Sequence, residues 1–140
     1  MALVIDASVA FKWFVPELAT EQALALLDTG TPLTAPDLVT VEVANAMWAR
    51  LRGREGFPQI VTDAALAIPR MFDTLVQTSG LVARGLDMAI GLNHPLYDCI
   101  YLALAERDGS RLITADSNFA QKVKSSQFAE LVSDLAGVGG

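Results

Sequence analysis

The sequence predicts an α/β fold with a central parallel sheet covered by helices on both faces, and three features carry that expectation. Short apolar runs end abruptly in an acid or a turn residue, as in Ala2-Leu3-Val4-Ile5 before Asp6 and Leu112-Ile113-Thr114-Ala115 before Asp116. Segments of helical periodicity separate these runs. No hairpin signal joins one run to the next, so the strands are connected through helices and run parallel.

In chain order, residues 2–5 form the first strand, Ser8 caps a helix over 9–14, and Pro16 restarts the chain. Asp6 then stands at a strand-to-helix junction. Leu18, Ala23, Leu24, Leu26 and Leu27 give 17–28 an apolar helical face ending toward Gly30, with its acids, Glu17 among them, in solvent. Residues 32–35 suit a second strand, and Pro36-Asp37 opens a helix that runs to about Arg52, where Gly53 and Gly56 stop it. Helical patterns follow over 58–68 and 79–92, with 73–77 between them as a short strand. Asn93-His94-Pro95 makes a turn, 96–107 a helix, 108–110 a turn, 111–114 a strand, 118–124 a short helix and 130–132 a last edge strand. The whole is one domain over 1–134, with 135–140 as a flexible tail rich in glycine.

Four acids sit where folding alone explains them least. Asp6 and Asp116 follow strands, at the carboxyl edge where open α/β sheets bind ligands. Glu42 lies in Leu38-Val39-Thr40-Val41-Glu42-Val43-Ala44 and Asp98 in Leu96-Tyr97-Asp98-Cys99-Ile100-Tyr101-Leu102, helical segments with few other charges. A lone carboxylate there is costly to desolvate. If the four converge they can share one or two divalent cations, which relieves both desolvation and mutual repulsion. The chain then reads as a metal-dependent hydrolase. Singly, each acid has a plainer explanation: a cap or turn for Asp6 and Asp116, a solvated helix face for Glu42, a first-turn acid favoured by the helix dipole for Asp98. Together these require four coincidences.

Composition bounds the alternatives. A chain of 140 residues fits one domain, and Cys99, the single cysteine, can form neither an internal disulfide nor a zinc cluster, which suits a reducing cytoplasm. The apolar amino terminus lacks the basic start of a signal peptide, and Asp6 and Lys12 interrupt it. No apolar run approaches the roughly 18 residues of a membrane helix. The net charge of −6 offers nucleic acid no general attraction. Setting the four candidate acids aside, however, leaves twelve acids against ten basic residues, and two divalent ions would neutralise the site itself.

The ordered set Val4-Ile5-Asp6-Ala7-Ser8, Glu42 after Pro36-Asp37-Leu38, Tyr97-Asp98 with Ala103, and Leu112-Ile113-Thr114-Ala115-Asp116 with Phe119 resembles the PIN-domain family. Within it the chain looks most like the VapC-type toxin ribonucleases of toxin–antitoxin pairs, from Leu3 to about Leu131. The resemblance implies a three-layer α/β/α sandwich with Asp6, Glu42, Asp98 and Asp116 gathered at one end of the sheet. It implies Mg²⁺, with Mn²⁺ as a substitute, held by Asp6 as bridging ligand and by Asp98 and Asp116, with Glu42 binding through water or orienting the attacking water. It implies an RNA substrate, products with a 5′-phosphate and a 3′-hydroxyl, a VapB-type antitoxin that inserts a basic side chain among the acids, and a homodimer formed through the helices of 57–92. Ser8 and Thr114 can support the carboxylates or the phosphate, and Asn45, one turn beyond Glu42, can hold that carboxylate.

The remaining chemistry-bearing residues read as structural. His94 is a turn or surface residue, Cys99 a small core residue, and Trp13, Trp48, Phe11 and Phe14 are core or oligomer contacts. Arg50, Arg52 and Arg54 form the densest basic cluster and Lys122 and Lys124 the next; as helix-end charges they need no function, and contact with RNA is the alternative reading. A phosphatase using Asp6 as nucleophile would place a second Asp where Ser8 stands, and a non-catalytic interaction domain has no reason to keep four acids. A housekeeping RNA-processing nuclease of the same fold is the nearer competitor.

Overall fold

In the computed structural model, which describes residues 2–137, five strands form one parallel sheet: β1 (Leu3–Ile5), β2 (Leu33–Pro36), β3 (Thr74–Val76), β4 (Arg111–Thr114) and β5 (Val132–Asp134). Their spatial order is β3-β2-β1-β4-β5, with Ile5 opposite Ile113 and Leu3 opposite Leu33. Val4, Ile5, Ala35 and Leu112 are wholly buried, as central strands covered on both faces must be. This explains why the strands read as continuous apolar runs. From β1 the chain winds outward first through β2 and β3, then returns to β4 and continues to β5. The order therefore reverses between β1 and β4, and that switch point is where open α/β sheets leave a crevice beyond their carboxyl ends.

Seven α-helices fill the connections among the described residues: α1 (Ala7–Ala10), α2 (Thr20–Ala25), α3 (Leu38–Leu51), α4 (Phe57–Met71), α5 (Val82–Leu92), α6 (Leu96–Asp108) and α7 (Ser117–Lys124). Right-handed crossovers place α1–α4 on one face and α5–α7 on the other, which gives the expected three layers. Helix α6 crosses β1, β2 and β4, and its run Cys99–Ala105 is buried without interruption. A helix apolar on all sides belongs in the interior. Its charges are confined to the two ends, Asp98 at the start and Glu106, Arg107 and Asp108 at the finish.

Five expectations change in detail. Asp6, not Ser8, caps α1, which starts at Ala7 and passes into a 3₁₀ turn at Phe11–Trp13. Helix α2 starts at Thr20, because Ala19 takes a left-handed conformation (φ 67°) and the Glu17 amide donates to Thr20 Oγ1 at 2.9 Å, which makes 17–19 a turn. Helix α4 continues through Pro69 to Met71; the ring removes one bond in the last turn, and burial of Ile68 and Phe72 outweighs it. The last strand begins at Val132, since Ala129–Leu131 form a 3₁₀ turn and Val132 is the buried residue that pairs with Leu112. Leu135, expected in the tail, is 1 % exposed and closes the core beneath a final 3₁₀ turn, while 138–140 lie outside the described residues.

Candidate active site

Asp6 leaves the end of β1 as the N-cap of α1, and its Oδ2 accepts from the Ser8 amide at 3.3 Å, from the Ser8 hydroxyl and from Thr114 Oγ1 at 3.2 Å. Thr114 is wholly buried at the end of β4, and its oxygen also accepts the Asp116 amide at 3.1 Å. Ser8 Oγ accepts the Ala115 amide at 3.0 Å. These bonds lash the ends of β1 and β4 together across the switch point. Asp116 is the N-cap of α7, its Oδ1 accepting from the Phe119 amide at 3.1 Å. The plain explanation of both acids as caps is therefore true, and it coexists with their convergence. Ser8 and Thr114 thus both donate to the same Asp6 oxygen.

The two helix acids arrive from opposite faces of the sheet. Glu42, in the second turn of α3, accepts the Tyr101 hydroxyl at 2.6 Å, and Tyr101 is a fully buried residue of α6. Asn45, expected to hold Glu42, is exposed and forms no bond to it; Tyr101 fills that part from across the sheet. Asp98, in the first turn of α6, is bonded through Oδ2 to His94 Nε2 at 2.6 Å. Lys122 Nζ reaches His94 Nδ1 at 3.3 Å and the Asn93 carbonyl at 3.0 Å. Because a carboxylate can only accept, Nε2 carries the hydrogen that Asp98 receives. The ring also packs against Phe119, with centroids 4.6 Å apart. His94 is thus not a free surface residue but the orienting partner of Asp98. Its spacing of four from Asp98 was a visible signal, masked by the turn-forming Pro95 between them. Nothing local marked Tyr101.

All four acids line one open pocket of about 730 Å³ at the carboxyl end of the sheet. Burial, reinforced by the neighbouring charges of Asp98 and Glu42, pushes the Asp6 carboxyl up to about 7 despite the Ser8 bonds that oppose it. Glu42 is raised by burial and by Asp98, against the Tyr101 hydrogen bond. Burial, with the Asp98 charge, also pushes the Cys99 thiol up to about 11, which suits an inert core residue. No three His, Cys, Asp or Glu side chains among the described residues draw close enough to enclose one ion by themselves. The donor set still fits a hard divalent cation. It is all carboxylate oxygen, mutually repelling, and partly buried, and Mg²⁺ retains several waters and rarely demands an all-protein cage.

On the rim, Lys12 and Arg50 face Glu17, at 2.8 Å to Oε1 and Oε2 respectively. Glu17 is not the solvated acid the sequence suggested: although burial raises its carboxyl, the bonds from Lys12 and Arg50 hold it below its ordinary range.

Known proteins share this arrangement of chain. Residues 3–124 match the PIN domain family. A protein of Pyrobaculum aerophilum named Ribonuclease VapC3 is 32% identical over 124 residues, covering 87% of this chain and 95% of its own. The crystal structure of PAE2754 from the same organism superposes with a TM-score of 0.71 at 21% identity, over 97% of this chain and 85% of that one. That of Mycobacterium tuberculosis VapC20, described as a Sarcin-Ricin loop cleaving toxin, gives 0.67 at 17% identity, over 86% and 94%. The fold, the span of the match and its identity to the VapC relative agree: the chain belongs to the PIN domain family.

Proposed function

We propose that the protein is an endoribonuclease dependent on Mg²⁺, or Mn²⁺ in its place, and that it is the toxin of a VapBC-type pair. The observation that carries the reading is the convergence of Asp6, Glu42, Asp98 and Asp116 on one pocket at the switch point, with Asp6 pushed up to about 7 by burial and by its acidic neighbours. Four carboxylates in that situation gain most from a divalent cation. The relative named a ribonuclease over nearly its full length supports RNA as the substrate.

Asp6, Asp98 and Asp116 would hold the cation, with Glu42 reaching it through water. Bound there, the ion supplies charge neutralisation at the phosphodiester and makes water more acidic. The chain's own groups do the rest. Ser8 and Thr114 fix Asp6 Oδ2, His94 fixes Asp98, and Tyr101 fixes Glu42. Glu42, its proton affinity raised, is suited to orient a water and take its proton. Attack in line leaves a 5′-phosphate and a 3′-hydroxyl.

The antitoxin and the dimer belong to the same reading. The acidic pocket suits an inserted basic side chain, and Ile60, Leu66, Leu86 and Ile90 on α4 and α5 are exposed apolar residues suited to a second copy. No described helix is long and apolar enough to cross a membrane, which accords with action in the cytoplasm. The test is cleavage of total cellular RNA with Mg²⁺, Mn²⁺ or EDTA, beside folded Asp6→Asn and Asp98→Asn chains. Cleavage that needs the metal and both acids supports the reading; cleavage that survives in both variants, or in EDTA, overturns it.

A further inference from the structure

We infer that Lys12 and Arg50 form a phosphate-binding clamp on the rim of the acidic pocket, with Glu17 as the residue that positions them. The inference rests on the ribonuclease reading and names the part of the pocket that receives the RNA backbone. Among the described residues lining the pocket, Lys12 and Arg50 are the only cations. A polyanion approaching four carboxylates needs such contacts, because the acids repel it until a cation is bound.

The clamp is built rather than incidental. Glu17 spends one oxygen on each cation, both at 2.8 Å, so the pair is held close enough to grip one phosphate and the group retains a net positive charge. Lys12 uses two of its three donors, on Glu17 and on the Leu18 carbonyl at 2.7 Å. Arg50 uses one nitrogen on Glu17 while its guanidinium lies over the Phe11 ring, 5.3 Å from the centroid. The aromatic ring and the carboxylate together hold the guanidinium, whose remaining donors match phosphate. The turn that presents Glu17 and the Leu18 carbonyl passes through the left-handed Ala19, a conformation an alanine resists. The Arg50 side chain is 45% exposed, and an ion pair so placed adds little to stability by itself.

The test uses the full chain carrying Asp6→Asn, which prevents cleavage, and a fluorescein-labelled single-stranded RNA of mixed sequence, with binding measured by anisotropy at several salt concentrations in Mg²⁺. Lys12→Gln and Arg50→Gln should each weaken binding about tenfold at low salt and reduce the slope of log affinity against log salt by about 0.7. Lys124→Gln, remote from the pocket, should change neither by more than a general charge effect. In the otherwise native chain, Glu17→Gln keeps both cations but frees them, so cleavage of total cellular RNA should slow about tenfold with the melting temperature nearly unchanged. Arg50 is 45% exposed, so its variant folds even if Lys12→Gln does not, and it decides the matter alone. RNA bound with the same slope by parent and Arg50→Gln, or an equal loss in Lys124→Gln, overturns the clamp and leaves the nuclease standing. A parent chain that neither binds nor, in its native form, cleaves RNA overturns both.

Discussion

The acids at the strand ends and the acids on the helices are held by different means. Asp6 and Asp116 cap helices, so main-chain amides of Ser8 and Phe119 point at them, and their placement follows from the strand-to-helix turn itself. Glu42 and Asp98 lie within helices and cap none, and each depends on one side chain, Tyr101 or His94. A carboxylate held partly by backbone, as Asp6 is by one amide beside two hydroxyls, is less sensitive to any one neighbour's identity. One fixed by a side chain is only as well placed as that side chain.

The largest effect comes from removing the acids themselves. On the proposed function, Asp6→Asn and Asp98→Asn should each lower RNA cleavage by about a thousandfold or more, since several kcal/mol of charge stabilisation would depend on the ion they would hold. Equal losses leave the contrast intact at the level of the ligands, and initial rates in Mg²⁺ measure it.

The supporting residues then separate the two kinds. Tyr101→Phe keeps the ring but strips Glu42 of its donor, and cleavage should fall by about 10–100-fold, with a stability cost of about 1–3 kcal/mol from denaturant titration. Thr114→Val removes one of three donors to the Asp6 oxygen and should cost clearly less activity. If Thr114→Val were the more damaging, the distinction would collapse. His94→Gln should cost about tenfold, because Asp98 loses its orienting ring while Lys122 is left without a bridge to it.

A smaller effect appears in stability against pH. The Asp6 carboxyl titrates near 7 in the folded chain and near 4 when unfolded, so the folded state binds the extra proton between those values. Stability of the protein in EDTA should therefore fall as pH rises from about 4 to 7, by at most about 1.4 kcal/mol per unit from this group. Asp6→Asn should flatten that part of the profile, and Mg²⁺ should offset it; thermal melts across the range read both. Smallest of all, Asn45→Ala should leave cleavage within about twofold of the native rate, since Asn45 contacts none of the four acids.

This contrast also explains what could be read from the chain. An apolar run followed by an acid and a small hydroxyl residue is a local signal, so Asp6 with Ser8, Thr114 with Asp116, and the parallel sheet around them were all legible. The set of four acids was legible as well, because isolated carboxylates in apolar segments are conspicuous. Tyr101 was not, since a tyrosine in a buried helix looks like any large core residue until the partner 59 positions away is known. Asn45 was chosen for Glu42 because helical spacing suggested it, and the actual donor came from another layer. Glu17 read as a solvated helix acid because the left-handed turn at Ala19, which detaches it from the helix, has no glycine to announce it.

The bond from Thr114 to Asp6 spans 108 positions. A growing chain therefore presents β1 and its acid long before β4 exists to stand beside it. Until residues 111–116 have been made and inserted next to β1, Asp116 is missing, Asp6 lacks its threonine, and the pocket has only one wall. Closing so distant a contact is among the slower steps a small domain takes. During synthesis the pocket therefore cannot be completed before β4 is made, and any fragment that stops short of β4 carries Asp6 without Thr114 or Asp116.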